Sequence, residues 1–170
     1  VPFAQLESDY HAFIDAQPLS VSERDVAHDR LRRPAVFHKV CAHELALRKQ
    51  QARLAAAAGD LDRALGLLLS VCRDDPGEPQ HQVERLEMLY SAERYDEAAQ
   101  VASQLLSHPA RTRVLESRAE ARLGDLAVLR GELATAQEHY ERAVALPDNE
   151  NASRQLVAKL GALAAAAKAK

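Results

Sequence analysis

A short motif returns on a regular beat through the middle of this 170-residue chain. Gly59-Asp60-Leu61-Asp62-Arg63-Ala64 is answered by Glu93-Arg94-Tyr95-Asp96-Glu97-Ala98, and again by Gly131-Glu132-Leu133-Ala134-Thr135-Ala136. Ala64 and Ala98 stand 34 residues apart, and Ala98 and Ala136 stand 38 apart. Each alanine is followed by an apolar stretch and then by a proline: Pro76, Pro109 and Pro147. A period of this length with two helical segments per unit predicts a helical solenoid. In such an array each unit buries its apolar face by stacking on the next.

Apolar spacing and helix punctuation divide the chain further. Residues 1–34 stand outside the repeat and read as two helices. In the first, Phe3, Leu6, Tyr10, Phe13 and Ile14 recur at steps of three and four, on one face. Gln17-Pro18 ends it, and Ser20 with Glu23 forms a capping box for the second, which runs through Arg33. A stripe this apolar is expected to pack on the solenoid. The repeats cover 35–147, as units of about 35–76, 78–109 and 110–147. The first helix of the first unit reads as one long pattern from Ala35 to Ala58, with Val36, Phe37, Val40, Leu45, Leu47 and Leu54 as its apolar positions. Gly59 supplies a left-handed C-terminus, and Asp60 caps the returning helix. Four extra residues between the second and third units lengthen the third unit's first helix, from about Arg111 to Arg130, by about one turn. Residues 148–170 close the array with a capping helix whose polar side carries Arg154, Gln155 and Lys159.

Composition agrees with an all-α chain. Alanine, leucine, arginine and glutamate dominate, and the aromatic content is 4%. A net charge of −3 makes no electrostatic case for nucleic acid. The longest uncharged apolar run, Leu160 to Ala167, is too short to span a bilayer, so no membrane role is expected. The excess of arginine over lysine fits the coding bias of a GC-rich bacterium, with cytoplasm and periplasm both open. The chain starts at Val1 and not at methionine, so the lack of a visible leader carries no weight.

The repeats resemble tetratricopeptide repeats. The third carries the likeness best: Leu123-Gly124 and Ala127 on its first helix, Gly131 and Leu133 at the turn, then Ala136, Tyr140 and Ala143 as small, large, small, and Pro147 at the close, one residue early. The first keeps Gly59, Leu61, Ala64, Leu68, Val71 and Pro76, with Ala52 and Ala55 on its first helix. The second keeps Tyr95, Ala98 and Leu105 but has Leu86 where the small residue belongs. The resemblance spans about Leu45 to Pro147 and implies a right-handed α-α superhelix of three hairpins. Fainter is the N-terminal likeness, through Leu6-Glu7, Tyr10, Phe13-Ile14, Pro18-Leu19 and Cys41-Ala42-His43-Glu44, to the junction where some bacterial zinc-peptidase-like domains meet helical repeats. No His-Glu-x-x-His occurs, so on that reading the catalytic part lies outside this chain.

In tetratricopeptide arrays the first helices line a concave groove. Counted from the small position, the groove-facing residues are Lys49 and Arg53, then Val83, Glu87 and Tyr90, then Arg118, Ala121 and Asp125. That is mixed charge around a small apolar centre, fit for an extended or helical peptide, with Tyr90 as anchor. The alternative is a solvated face, or one filled by the chain's own N-terminal helices. The subclass that grips chaperone C-termini combines basic residues with asparagines. Lys49 and Arg53 are basic, but no asparagine precedes Asn149, which speaks against it.

Other chemistry finds little footing. His38, Cys41, His43 and Glu44 are the one cluster of metal-ligand types, but on a helix His43 falls about 140° from His38, so no zinc set forms and neither metal nor cofactor is expected. There is no glycine-rich phosphate loop and no sequence-local triad. Cys41 and Cys72 read as two buried thiols or as one disulfide across the first hairpin. A bridge has to absorb roughly 9 Å of axial offset between its two ends. The leading expectation is a non-catalytic protein-protein interaction module, as a monomer or weak dimer, whose partner is another protein, a peptide or another domain of its parent chain. The alternatives are an accessory domain of a zinc-peptidase-like enzyme and a structural spacer.

Overall fold

The computed structural model describes residues 2–32, 40–146 and 150–168. Among them are nine helices and no strand: α1 (Phe3–Ala16), α2 (Val21–Arg32), α3 (Ala42–Ala57), α4 (Leu61–Asp74), α5 (Gln80–Ser91), α6 (Tyr95–Leu106), α7 (Arg113–Leu129), α8 (Leu133–Ala145) and α9 (Glu150–Lys168). Helices α3 with α4, α5 with α6 and α7 with α8 form three hairpins, and each hairpin packs on the next. The longer third unit is visible directly, since α7 has 17 residues against 12 in α5.

The same hydrogen-bonded turn joins the helices of every hairpin. Its first residue is left-handed: Gly59 at φ 82°, Glu93 at φ 58° and Gly131 at φ 76°. The next N–H reaches back to the last turn of the first helix, Asp60 to Ala55 O at 2.9 Å, Arg94 to Leu89 O at 3.0 Å and Glu132 to Ala127 O at 2.9 Å. This is a Schellman closure, which satisfies carbonyls that the helix end leaves bare. Asp60 then turns round to cap α4, its carboxylate accepting from Arg63 N at 3.2 Å. Glu93 is the exception to the glycine rule. A left-handed L-residue costs roughly 1–2 kcal/mol, while glycine loses roughly 0.5–1 kcal/mol through its freer unfolded chain. Glu93→Gly is therefore expected to stabilise the protein by up to about 1 kcal/mol, read as a higher urea midpoint.

One core is continuous through the middle of the array. Leu65, Val83, Leu86, Leu89, Val101, Leu105, Leu115 and Leu126 bury their side chains together, with Ala98, Ala102 and Ala119 letting the helices approach. A second cluster joins Ala127, Ala136, Tyr140 and Ala143 to Leu156 and Leu163 of α9. Here α9 covers the face that the last hairpin would otherwise expose. A size rule runs through the hairpins at one repeat position on each helix. The pairs are Ala52 with Leu68, Leu86 with Ala102, and Gly124 with Tyr140, all buried. In the third pair a methyl group on Gly124 would stand 2.5 Å from Tyr140 Cε1. The second pair keeps a large and a small partner but exchanges their places.

Two expectations are corrected. The first concerns α3, which begins at Ala42 and not near residue 35. Cys41 is extended (φ −68°, ψ 131°) as its N-cap. An extended residue at 41 cannot lie inside a continuous helix, so the apolar pattern is broken there. Val36 and Phe37 lie outside the described residues. The second concerns the N-terminal stripe. The capping box of α2 forms, with Ser20 N donating to Glu23 Oε2 at 2.9 Å and Glu23 N donating to Ser20 Oγ at 3.3 Å. But α1 packs on α2, and α2 alone of the two makes a clear contact with the solenoid, at α7. Ile14 is buried, whereas Leu6 (53%), Tyr10 (45%) and Phe13 (59%) stay exposed. An apolar stripe declares a need for cover without naming what covers it.

Candidate functional site

Helices α3, α5 and α7 are the first helices of their hairpins, and a cavity of about 530 Å³ opens between them and α4. Its floor is apolar: Ala56, Leu61, Leu68, Val83 and Met88. Gln80, Glu84, Glu87 and Ser91 of α5 stand around it, with Arg53 from α3 on one side and Arg118 from α7 on the other. Of the residues the sequence assigns to a groove, Arg53, Val83, Glu87 and Arg118 meet at this cavity. Lys49 stands beside it, its Nζ 2.7 Å from Glu84 Oε1. Arg53 is 3.9 Å from the same carboxylate oxygen, and its side chain is largely in water.

Ala121 belongs to a second, smaller space of about 140 Å³, where α9 closes over α7 through Ala152, Gln155, Leu156 and Lys159. Asp125 borders that space, but it is buried and already engaged within the fold. Its carboxylate accepts from Tyr140 Oη at 2.7 Å, from Arg122 Nη1 at 2.9 Å and from Lys159 Nζ at 2.5 Å. A buried phenol needs a hydrogen-bond partner, and Asp125 serves the Tyr140 hydroxyl while two cations balance its charge. Burial first, and then the Asp125 carboxylate, hold the Tyr140 phenol neutral well above the usual tyrosine range. Tyr90 does not line the larger cavity. The Arg122 guanidinium covers its ring at 4.4 Å, and Tyr95 lies 5.8 Å away on the neighbouring helix. That placement makes Tyr90 a joint between α5, α6 and α7, so we set aside the anchoring role expected for it.

Arg122 is the residue that sequence reasoning missed. It donates to Glu87 Oε1 at 3.1 Å from Nε and to Oε2 at 2.5 Å from Nη2, so one guanidinium ties α5 to Asp125 and shields Tyr90. Counting by repeat-equivalent positions passes over it, although Arg118, Arg122 and Asp125 share one face of α7 at spacings of four and three.

A further cavity, about 670 Å³, lies where α1 and α2 meet the start of α7. Its lining is almost wholly charged or polar. His11 and His28 stack at 4.6 Å and share a hydrogen bond between their Nδ1 atoms, while His28 Nε2 meets Asp15 at 3.1 Å. Arg113 reaches Asp25 at 3.4 Å. Of these contacts the Arg113–Asp25 pair joins the N-terminal hairpin to the array, while the histidine contacts lie within that hairpin.

The disulfide left open by the sequence is not formed: Cys41 and Cys72 are both free. Cys41 is exposed ahead of α3 and Cys72 is buried on α4. Burial pushes the Cys72 thiol up to about 11. A thiol reagent at neutral pH is therefore expected to modify one cysteine per native chain, Cys41, and both after denaturation. Among the described residues no three histidine, cysteine, aspartate or glutamate side chains converge as metal ligands, and His38 lies outside those residues. No described helix is long and apolar enough to cross a membrane.

The chain matches no family model and no curated protein. Solved structures do match it. The first TPR of Spaghetti (RPAP3), bound to the HSP90 peptide SRMEEVD, is 21% identical with a TM-score of 0.56, over 74% of this chain and 98% of that one. PcrH from Pseudomonas aeruginosa is 19% identical with a TM-score of 0.63, over 74% and 95%. PcrH in complex with the chaperone binding region of PopD gives the same values. The Sgt2 TPR domain from Aspergillus fumigatus is 18% identical with a TM-score of 0.59, over 75% and 83%. At these identities the likeness shows the fold, and the fold is the tetratricopeptide-repeat superhelix. The N-terminal likeness to zinc-peptidase-like proteins gains no support from these comparisons.

Proposed function

We propose that this chain is a non-catalytic protein-interaction module that binds a segment of another polypeptide along the face of α3, α5 and α7. The observation that carries the reading is the cavity of about 530 Å³, with its apolar floor between Arg53 and Arg118. An apolar pocket with a few polar groups at its edge suits one buried anchor side chain with polar backbone on either side. Neighbours of the same fold support it, since one holds the HSP90 peptide and another the chaperone binding region of PopD. Its charged lining is balanced, Arg53 and Arg118 against Glu84 and Glu87. The segment it suits therefore carries mixed charge around an apolar anchor.

The experiment is selection of binders from a displayed library of short peptides, followed by affinity measurement on variants. Ser91 is exposed at the cavity edge, so Ser91→Trp fills the space without entering the core. The selected peptide is expected to lose at least about tenfold in affinity, roughly 1.4 kcal/mol, with the melting temperature unchanged. Unaltered affinity in Ser91→Trp overturns the assignment.

A further inference from the structure

The groove is open at one end and covered at the other. Repeat register makes Lys49, Val83 and Ala121 equivalent, and likewise Arg53, Glu87 and Asp125, at offsets of 34 and 38 residues. Arg53, Val83 and Glu87 line the open cavity. Ala121 and Asp125, the α7 members of the two sets, border the smaller space under α9. Ala121 packs against the cluster that holds Leu156 and Leu163 of α9, and Lys159 Nζ donates to Asp125 at 2.5 Å. The two spaces adjoin, because Glu87 and Arg118 border both. A segment lying along α3, α5 and α7 therefore meets α9 once it passes Arg118.

We propose that α9 is a built-in competitor for the α7 end of the groove, an inference that rests on the groove reading above. The seat of α9 has two sides. On one, Leu156 and Leu163 bury among Ala127, Ala136, Tyr140 and Ala143 and cap the last hairpin. On the other, a space of about 140 Å³ separates α9 from α7, and Lys159 reaches across it to Asp125. Facing atoms held apart by such a gap forgo dispersion contacts, so this side is the weaker. Lifting Lys159 strands no buried charge, because Asp125 keeps Arg122 and the Tyr140 hydroxyl. Docked, α9 confines ligands to the open cavity. A segment that runs on along α7 binds only to the extent that its contacts offset the cost of moving α9.

The test uses the full chain and displayed peptides of two lengths, about 6 and about 20 residues, at most about 21 and 70 Å when extended. Lys159→Ala removes the reach to Asp125. Leu163→Ala loosens α9 from a position that lines neither space. Circular dichroism checks that both variants fold. Selection runs on the wild type and on Leu163→Ala, so that binders shut out by α9 are still found, and only peptides weakened by Ser91→Trp are kept. Both variants are expected to bind the long peptides at least about fivefold more tightly than the wild type does, and the short ones equally. Hydrogen exchange in α9 is expected to quicken when a long peptide binds. Long peptides bound equally by all three proteins overturn the inference, as does α9 gaining protection in the complex. A gain in Lys159→Ala without one in Leu163→Ala also overturns it, since the lysine itself and not the seating of α9 then opposes binding. If short peptides respond to Ser91→Trp and long ones ignore the state of α9, the groove reading stands and only the competitor fails. If Ser91→Trp weakens no peptide of either length, the groove reading fails and this inference with it.

Discussion

Tyr140→Ala is expected to destabilise the protein by about 3–5 kcal/mol, the range for truncating a buried aromatic ring. Tyr140 is 3% exposed, packed among Ala127, Ala136 and Ala143 of the last hairpin and Leu156 and Leu163 of α9. Removing the ring opens a cavity at the joint between solenoid and cap, so the loss should uncouple α9 as well as loosen the hairpin. Tyr140→Phe keeps the ring and removes one hydroxyl. Asp125 then still has Arg122 and Lys159, and the expected cost is only about 1 kcal/mol. Urea denaturation of the two variants separates ring from hydroxyl. A Phe variant as unstable as the Ala variant would show that the Asp125 bond, and not packing, holds this joint. Gly124→Ala tests the same contact from the other side. Its new methyl meets the Tyr140 ring, for a cost of roughly 1–3 kcal/mol by overpacking, and that cost should largely vanish in the Tyr140→Ala background.

Leu86→Ala is expected to cost about 2–5 kcal/mol, although it installs the small residue that the repeat pattern favours at that position. Leu86 is fully buried in the central core, which also holds Ala102 of the partner helix. The second repeat inverts the usual arrangement, with its large side chain on α5 and its small one on α6. If the inversion is compensated, Leu86→Ala combined with Ala102→Leu conserves volume and recovers most of the lost stability, while Ala102→Leu alone overpacks. A double variant no more stable than Leu86→Ala alone would mean that the two positions do not share one space.

These pairs also show what a reader of the sequence can and cannot see. Gly59 and Gly131 marked two hairpin turns because a left-handed backbone selects glycine. Glu93 makes the same turn at φ 58° without that mark, and only its place on the beat of the repeat gave it away. The three hairpins were legible because small and large residues recur on a fixed period. The start of α3 was not, because its N-cap is Cys41, which makes no side-chain capping bond, so no capping residue marks the boundary within the apolar pattern. The stripe on α1 was read as core, since periodicity reports amphipathicity and is silent about the cover. At the site, Arg53, Val83, Glu87 and Arg118 followed from repeat register. Arg122 and the engagement of Asp125 did not, because that network joins side chains from α5, α7, α8 and α9, and no local pattern encodes such a meeting.

The central claim is that α3, α5 and α7 present the binding face. Hydrogen exchange of the full chain with and without the selected peptide tests it most directly, because it reads every helix at once. The account predicts slowed exchange in α3, α5 and the first half of α7, around Arg53, Val83, Glu87 and Arg118, with α4, α6 and α8 little changed. Protection confined to α4, α6 and α8, with the cavity helices unaffected, would contradict it.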